Sequence, residues 1–406
     1  MARLFQKTGS FAGDYSGAAG VLRDMGGMLI FCDAGACMGG FLFGEDPKGE
    51  KEEKRIFSAS LREKQVVMGF DKKLKKDAVR TYQEAGGAFV GLIGTPVAAV
   101  VGSDLGGLGK EICRELYHQG MTDQILPSLG VETNGWDYYD AGQEKAYLAM
   151  AEMLIQEEAE TIADVNVIGA TSIDMWDYNQ IADCVNLLKK AGAENPVIWG
   201  SNGCMEAIAG AKGAKLNLAV SVSAIKVVEK LHEKYGTPFL IGYPLGEKET
   251  VRWVNQVKGI LSGDECAPVT DPTVHSIAVD FRRTADGKRA FIIGEQLTSN
   301  AMRRLLETEF DYVHVDVASY FKMDRTLMKE NDFWIREEEV LVRFLEEREP
   351  YDLVIADPLC FQFLPYEPKR KIAYPHIAVS SLFYLGKSVN IFGEKASLYF
   401  RKMLEE

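Results

Sequence analysis

The sequence predicts an α/β protein of three Rossmann-like domains, each a parallel sheet flanked by helices. Apolar runs of strand length alternate with amphipathic helical stretches almost throughout, which is the signature of this class. A chain of 406 residues is also longer than one hydrophobic core comfortably fills. We therefore predict domains at 1–135, 136–270 and 271–406, with a linker at 262–272 and a closing helix at the end of the last domain.

The first block begins with a buried strand at 28–31, because MLIF is a continuous apolar run that ends in turn residues. A polar helix at 71–84 follows, with Leu74, Ala78, Val79 and Tyr82 on its buried face. Asp104 is placed to cap the helix after it. The other elements predicted here are strands at 88–93 and 124–129 and a helix at 142–159.

The second and third blocks repeat this alternation. The second is predicted to contain strands at 165–169, 196–199, 216–220 and 238–242 and helices at 179–190, 205–211 and 224–235. The third is predicted to contain strands at 290–293, 312–315, 353–356 and 376–379 and helices at 300–309 and 337–346. Because open α/β sheets bind ligands at the carboxyl ends of their strands, residues directly after strands are the first candidates for function.

Composition and charge exclude several classes. With 47% hydrophobic and 26% charged residues the chain is an ordinary globular protein. A net charge of −13 argues against a nucleic-acid partner. The longest apolar run, 88–101, is broken by glycines and Pro96 and is too short to span a membrane. No signal-peptide pattern opens the sequence, so we expect a cytoplasmic protein whose seven cysteines are reduced thiols or ligands.

Two nucleotide-binding motifs are absent from the sequence. The nearest approach to a Walker loop, 104–111, has Asp at the first glycine position and Glu in place of the hydroxyl residue. No predicted strand is followed by G-x-G-x-x-G. We therefore expect no nucleotide in this chain.

Two cysteines stand out at the end of the first strand. Cys32 and Cys37 enclose four residues, a spacing also found between cluster ligands in plant-type ferredoxins. The alternative is that both are small apolar fillers, and two thiolates make only half a cluster site. Cys204 and Cys360 are the other cysteines at turns after predicted strands. The aromatic residues Trp176, Tyr178 and Trp199 either line a pocket for a flat ligand or belong to the core.

Further motifs give a resemblance that is strongest over 10–112. The stretches SASLREKQVVMGFDKKLKKDA and GTPVAAVVGSDL carry a recognisable pattern, as does YSGAAGVLRDMGGMLIFCDAGAC before them. The matching residues are Ser58 or Ser60, Leu61, Glu63, Val67, Gly69, Lys73, Leu74, Thr95, Val101, Gly102 and Asp104. This pattern resembles component 1 subunits of the nitrogenase superfamily, which includes the molybdenum–iron protein and dark-operative protochlorophyllide reductase.

The resemblance implies an iron–sulfur cluster that two subunits share, usually through three cysteines from each. Of those three positions only Cys37 is cysteine here, since the first falls at Gly13–Asp14 and the third is Pro96. Cys32 stands where the family usually has His, and Asp14 is a reserve ligand candidate beside a lost cysteine. The two ligands of the nitrogenase catalytic cluster would fall near Val220–Ser221 and near Ser380, which argues against N2 reduction.

The function that the resemblance implies is reduction of, or electron transfer to, an organic or tetrapyrrole-like substrate in a cleft between domains. A 4Fe-4S cluster held by Cys37 and Cys32 would lie at an interface with a second copy or a paralogous component 1 subunit. An ATP-hydrolysing iron protein would be the electron donor. Two alternatives stay open, namely a non-catalytic scaffold that binds or assembles a metallocofactor, and a small-molecule-binding α/β protein without a cluster.

Overall fold

A computed structural model describes the fold over residues 11–48, 55–175, 178–263, 287–387 and 389–405. Three parallel sheets confirm the predicted α/β class. The strands are β1 Met28–Phe31, β2 Ile56–Ser58, β3 Val90–Ile93, β4 Ser128–Val131, β5 Val165–Ile168, β6 Pro196–Ile198, β7 Leu216–Ala219, β8 Phe239–Ile241, β9 Lys288–Ile293, β10 Tyr312–Ser319, β11 Phe333–Trp334, β12 Leu353–Ala356 and β13 Arg370–Ala373.

Helices cover both faces of each sheet, as parallel strands require. They are α1 Asp14–Leu22, α2 Ala36–Gly40, α3 Glu63–Met68, α4 Asp71–Ala85, α5 Pro96–Val101, α6 Leu105–His118, α7 Tyr139–Leu154, α8 Tyr178–Lys190, α9 Cys204–Ala209, α10 Val222–Tyr235, α11 Glu247–Ser262, α12 Gln296–Glu309, α13 Glu338–Glu346, α14 Ile377–Ser380 and α15 Lys395–Glu405. No helix among the described residues has the length and apolar character needed to cross a membrane.

Each sheet has its first strand in the interior, and the later strands are added on both sides of it. The orders are β2-β1-β3-β4, β6-β5-β7-β8 and β11-β10-β9-β12-β13. The strand order therefore reverses between β1 and β3, between β5 and β7, and between β9 and β12, and such switch points are where open α/β sheets bind ligands. The predicted boundaries 1–135, 136–270 and 271–406 stay predictions.

The cores of the three blocks are continuous with each other. One apolar cluster joins residues of the first and middle sheets, including Phe31 of β1 and Ala219 of β7. A second cluster joins the middle and third sheets, including Val167 of β5 and Ile292 of β9. The sheets are therefore packed against one another rather than joined only by the chain.

One predicted strand is wrong. Residues 376–379 do not form a strand, since α14 occupies Ile377–Ser380 and β13 ends before it. Pro375 separates the two elements, and proline cannot donate to a ladder hydrogen bond. The His376 side chain then caps α14 by accepting from the Ala378 amide at 3.2 Å.

The other differences are shifts of boundaries and elements that the sequence did not predict, among them α1, α11, β2, β11 and β13. The strand predicted at 124–129 is found at Ser128–Val131, and the helix predicted at 142–159 begins at Tyr139 and ends at Leu154. The predicted cap on α6 is confirmed, because the Asp104 side chain accepts from the Gly107 amide at 2.8 Å. Apart from its first two residues, the predicted linker 262–272 lies outside the described residues.

Two glycines let α1 and α7 pack in direct backbone contact. A Cβ atom on Gly17 would lie 1.8 Å from the Tyr139 carbonyl oxygen, and one on Gly142 would lie 1.7 Å from the Asp14 carbonyl oxygen. Real Cβ contacts are never this short, so any side chain at either position forces the helices apart. Both glycines are therefore fixed by packing.

We predict that Gly142→Ala lowers the free energy of unfolding by about 1–3 kcal/mol or more, because overpacking against backbone cannot relax by a change of rotamer. Gly106→Ala is the matched control, since its Cβ would meet only the Asp104 carboxylate at 3.5 Å. Alanine should stabilise that helix by up to about 1 kcal/mol. Urea unfolding followed by circular dichroism measures the free energy of unfolding of both variants. Equal values for Gly142→Ala and Gly106→Ala would contradict the close backbone contact at Gly142.

Candidate functional site

The first switch point is a turn tied together by side-chain hydrogen bonds. The Thr95 hydroxyl donates to the Cys32 carbonyl at 2.7 Å and thus joins the ends of β1 and β3. The Asp33 carboxylate accepts from the Ser58 hydroxyl at 2.5 Å and from the Met38 amide at 3.0 Å. Gly35 has a φ of 112°, a left-handed conformation that favours glycine. These contacts fix the start of α2, where Cys37 lies.

Cys37 is half-buried beside the aromatic ring of Tyr15 on α1. Burial raises the pKa of the Cys37 thiol, and the Asp33 carboxylate raises it further, whereas a hydrogen bond from the Tyr15 hydroxyl opposes both effects. The pKa of Tyr15 is itself raised by burial and by Cys37. Glu45 is a third nearby group, and burial raises the pKa of its carboxyl to about 7. The thiol thus lies in acidic surroundings with one hydrogen-bond donor.

Cys32 lies in a different layer from Cys37. It is fully buried with Met28 and Ile30 of β1, on the face covered by α4 and α6. Cys37 packs instead against the cluster that contains Leu29 and Phe31, on the other face. Burial raises the pKa of Cys32 to about 12. The structure does not bring the two thiols together, and the ligand role of Cys32 stays a prediction.

Asp14 and Pro96 lie on the same side of the turn as Cys37. The buried Asp14 carboxylate accepts from the Asn134 and Gly135 amides at 2.9 and 2.8 Å and pairs with the Lys145 ammonium at 3.2 Å. A Cβ atom on Gly135 would lie 2.5 Å from the Pro96 ring and 3.5 Å from the Tyr15 ring. Asp14, Pro96 and Cys37 are therefore neighbours through Tyr15 and Gly135.

A single chain does not offer a complete cluster site at this turn. No group of three or more His, Cys, Asp or Glu side chains is placed to hold a metal ion in the part of the chain that the structure describes. Pro96 has no donor atom, and the Asp14 carboxylate is already engaged by three partners. Cubane clusters are usually held by four protein ligands. Any cluster here needs ligands from a second subunit.

Exposed apolar side chains come from the elements that border this turn. Phe43 follows α2 in the segment Phe41–Glu45, which packs against Ser381–Tyr384. The Phe43 side chain is 73% exposed and that of Phe383 is 83% exposed. The others on these elements are Val67 and Met68 of α3, Val100 of α5, and Trp136, which follows Gly135. We call these six residues the Cys37 surface. Exposed apolar side chains mark an interaction site where they form a contiguous patch.

The second and third switch points face each other across a buried polar centre. Asp174 accepts from the Tyr139 hydroxyl at 2.7 Å, from the Gln143 amide at 2.8 Å and from the Thr171 hydroxyl at 2.8 Å. The Tyr139 hydroxyl also lies 3.4 Å from Nε2 of His376. We call this set the junction network, because α7, the middle block and the third block all contribute to it.

Glu295 links the two facing sheets at this centre. Its carboxylate, fully buried just after β9, accepts from the Val222 amide at 3.0 Å and from the Thr298 amide at 2.8 Å. Burial and the nearby Asp174 raise the pKa of Glu295 to about 6. Asp357, just after β12, accepts from the His376 amide at 2.8 Å and from the Ser380 hydroxyl at 2.7 Å. Polar contacts within the protein thus occupy both switch points.

The space left in the junction is small. A cavity of about 20 Å³ is lined by Glu295, Cys360 and His376 among others, which is room for roughly one water molecule. The positions where the nitrogenase catalytic cluster would be held carry hydroxyls, and Ser221 bonds to the Ser223 hydroxyl at 2.6 Å. Burial holds the pKa of the Cys360 thiol well above its usual range.

The predicted aromatic pocket is not assembled by the described residues. Trp176 lies outside them, and the side chain of Tyr178 is not among those described. Trp199 is buried and its indole N–H donates to Asn166 at 3.3 Å. Sequence reasoning missed Glu295 and Asp357, although each directly follows a predicted strand at the ligand-binding edge. It also missed Asp174, for which the sequence holds no comparable signal.

Comparison with known proteins agrees with the resemblance. The family model "Nitrogenase component 1 type Oxidoreductase" matches residues 14–357. The nitrogenase iron-molybdenum cofactor biosynthesis protein NifE of Methanococcus maripaludis is 25% identical over 249 residues, 59% of this chain and 48% of NifE. A light-independent protochlorophyllide reductase subunit of Chlorobium phaeovibrioides is 24% identical over 247 residues, 53% of this chain and 45% of that relative.

The matched region spans about half the length of these relatives, 48% and 45% respectively. Among solved structures, "Nitrogenase Cp1 at pH 6.5" aligns with a TM-score of 0.72 at 12% identity and covers 100% of this chain and 93% of that chain. A second, "Nitrogenase Cp1 at pH 5", aligns with a TM-score of 0.65 at 15% identity and covers 100% and 89%. At these identities the structures show the fold alone. Since the family model matches most of the sequence, the chain belongs to the nitrogenase component 1 type oxidoreductase family.

Proposed function

We propose that the chain is a nitrogenase-like reductase subunit that pairs with a second component 1-like subunit and contributes Cys37 to an iron–sulfur cluster at their interface. One observation carries the proposal. Among the six described cysteines, Cys37 alone is partly exposed, and the resemblance aligns it with a cysteine that the family uses as a cluster ligand. The other five are buried.

The chain's own residues support a ligand role for Cys37. The Asp33 carboxylate holds the first turn of α2 through the Met38 amide, so the thiol starts from a fixed backbone. Burial and Asp33 raise the pKa of Cys37 overall, and the hydrogen bond that the Tyr15 hydroxyl donates to the sulfur opposes this shift and favours the thiolate, which is the form that binds iron. A partner on the Cys37 surface would exclude water from this side. A cluster bound there would supply one-electron transfer.

The number of thiolates distinguishes the two pairings that the sequence left open. Twofold pairing of identical chains places the same patch on both sides of the axis and brings two Cys37 thiols together. A paralogous partner that retains three cysteines would bring the total to four, which is the usual requirement of a cubane. The identical pair is the assembly that we propose for the isolated chain, and a paralogous subunit is the partner that would complete a four-iron cluster.

The proposed substrate is an organic molecule, not N2. The two positions that would hold the nitrogenase catalytic cluster are near Ser221 and Ser380, whose hydroxyls bond within the protein. The junction cavity of about 20 Å³ leaves no room for a large cofactor or a tetrapyrrole in this conformation. A tetrapyrrole-like substrate would require the junction to open. An ATP-hydrolysing iron protein remains the proposed electron donor, in keeping with the failed Walker pattern at 104–111.

A second candidate is a scaffold that assembles a metallocofactor. The match to the cofactor biosynthesis protein NifE favours it, because that relative is as similar as the reductase subunit. Protein purified without oxygen distinguishes the candidates. Bound iron and sulfide support the reductase, and metal-free protein that carries a tetrapyrrole supports the scaffold. Protein free of both would support a small-molecule-binding protein without a cluster.

We predict that Cys37→Ser abolishes the brown absorbance near roughly 400 nm and the bound iron of protein reconstituted with iron and sulfide, because the exposed ligand is lost. Cys32→Ala is the matched control and should retain both, since Cys32 is buried in the other layer. Iron analysis and absorbance measure the two variants. Wild-type protein that stays colourless, or a Cys32 variant that loses iron while Cys37→Ser keeps it, contradicts the assignment.

We predict that Pro96→Cys raises the iron bound per chain. The new thiol would lie near Tyr15 on the side of Cys37, so that a pair of identical chains would present four cysteines. Pro96 is the first residue of α5 and its replacement removes no hydrogen bond. Val97→Cys, on the next residue, is the control. Unchanged iron content in folded Pro96→Cys would show that this turn does not face a cluster.

A further inference from the structure

A second cavity lies between the first and middle blocks. Its volume is about 470 Å³, within the range of roughly 300–1,000 Å³ that small-molecule sites occupy. One wall is formed by the end of α1 and the start of β1, and the other by the carboxyl ends of β5 and β6. Cys37 follows the opposite end of β1. The cavity is thus a separate site, and it lies at the ligand-binding edge of the middle sheet.

The wall contributed by the first block is basic. Arg23, Lys48 and Arg55 line the cavity together with Asp24. Arg23 pairs with Asp24 at 2.6 Å and with Asp46 at 3.0 Å, and Lys48 pairs with Asp24 at 2.6 Å. Arg23 and Lys48 are thus engaged by carboxylates, and Arg55 is the third cation of this wall in a chain whose net charge is −13. Such a site attracts anions although the protein as a whole repels them.

Arg55 differs from the other two cations. Its Nε donates to the Ala85 carbonyl at 2.8 Å, which fixes the plane of the guanidinium. No carboxylate among the described residues pairs with its Nη groups, whereas Arg23 has two such partners. A guanidinium fork matches the oxygens of a carboxylate or phosphate. Arg55 is thus oriented, partly buried and able to bind an anion.

The rest of the wall is suited to an organic body. Ile56, Ile181 and Ile198 supply apolar surface, and Trp199 lies at the end of β6 beside them. Ser172 and Asn202 add hydrogen-bonding groups from the middle block. A wholly inorganic ion would leave this apolar surface uncovered. The lining instead combines one charged end with an apolar end.

We propose that this cavity binds a small organic anion, with its carboxylate or phosphate on Arg55 and its apolar body against Ile56, Ile181 and Ile198. The proposal goes beyond the reductase function and requires neither a cluster nor a partner subunit. If the cavity binds no anion, the proposal for Cys37 is therefore unaffected. If Cys37 holds no cluster, the proposal for the cavity is likewise unaffected.

Isothermal titration calorimetry of the full chain with 2-naphthoate and 2-naphthyl phosphate tests the proposal, and neutral 2-naphthamide is the control ligand. We expect at least one anion to bind at least tenfold more tightly than the amide. Arg55→Gln should weaken that anion at least tenfold, and Arg55→Lys should recover part of the loss. Arg80→Gln is the matched control, because Arg80 lies on the exposed surface of α4 and pairs only weakly with Glu84 at 4.0 Å.

Thermal unfolding of each variant checks that it is folded. Ile181→Trp gives a second route, since the larger side chain should fill the cavity and weaken both anions without a change in charge. Equal binding of the anion and the amide would overturn the proposal. An anion affinity that Arg55→Gln leaves unchanged would also overturn it. So would a titration in which neither anion binds.

Discussion

The contact between α1 and α7 is the constraint on which both candidate sites depend. Gly17 and Gly142 allow the two backbones to touch, and each glycine faces a residue that begins the other helix. Asp14 and Tyr15 extend from α1 towards Cys37, whereas Tyr139 and Gln143 extend from α7 into the junction network. One helix pair thus sets the position of side chains in both sites. A change in its spacing would move them together.

The three switch points of this chain differ in the groups that occupy them. The first carries the half-buried Cys37 thiol, and exposed apolar side chains lie on the elements that border it. The second and third face each other and are closed by their own buried carboxylates, Asp174, Glu295 and Asp357. Because buried carboxylates need hydrogen-bond donors, this closure uses the backbone amides that would otherwise meet a ligand. The chain thus has a partly exposed thiol at its first switch point, while its inter-domain centre is filled.

The sequence predicted the fold class and many of the strands and helices because their periodicity is a local property, but it missed α1 and α11. It identified β1, β5, β9 and β12, and it identified Asp104 as a cap from its own neighbours. It failed at residues 376–379, where Pro375 and the cap formed by His376 override an apolar run. Cys32 and Cys37 are near in sequence, yet their side chains pack on opposite faces of the first sheet. The spacing of the two cysteines in the sequence does not reveal this, because it depends on the direction of β1. Contacts such as that of Val222 with Glu295 join distant segments, and no local pattern predicts them.

The central claim is that the Cys37 surface is covered by a second subunit. Sedimentation velocity of the protein purified without oxygen tests it most directly, with Val100→Asp as the variant and Val251→Asp as its control, since Val251 is also exposed but lies on α11. We predict a species of twice 45.0 kDa, the identical pair, for the wild type and the control, and a shift towards the single chain for Val100→Asp. A wild-type monomer, or a dimer that Val100→Asp leaves intact while Val251→Asp dissociates it, would contradict it.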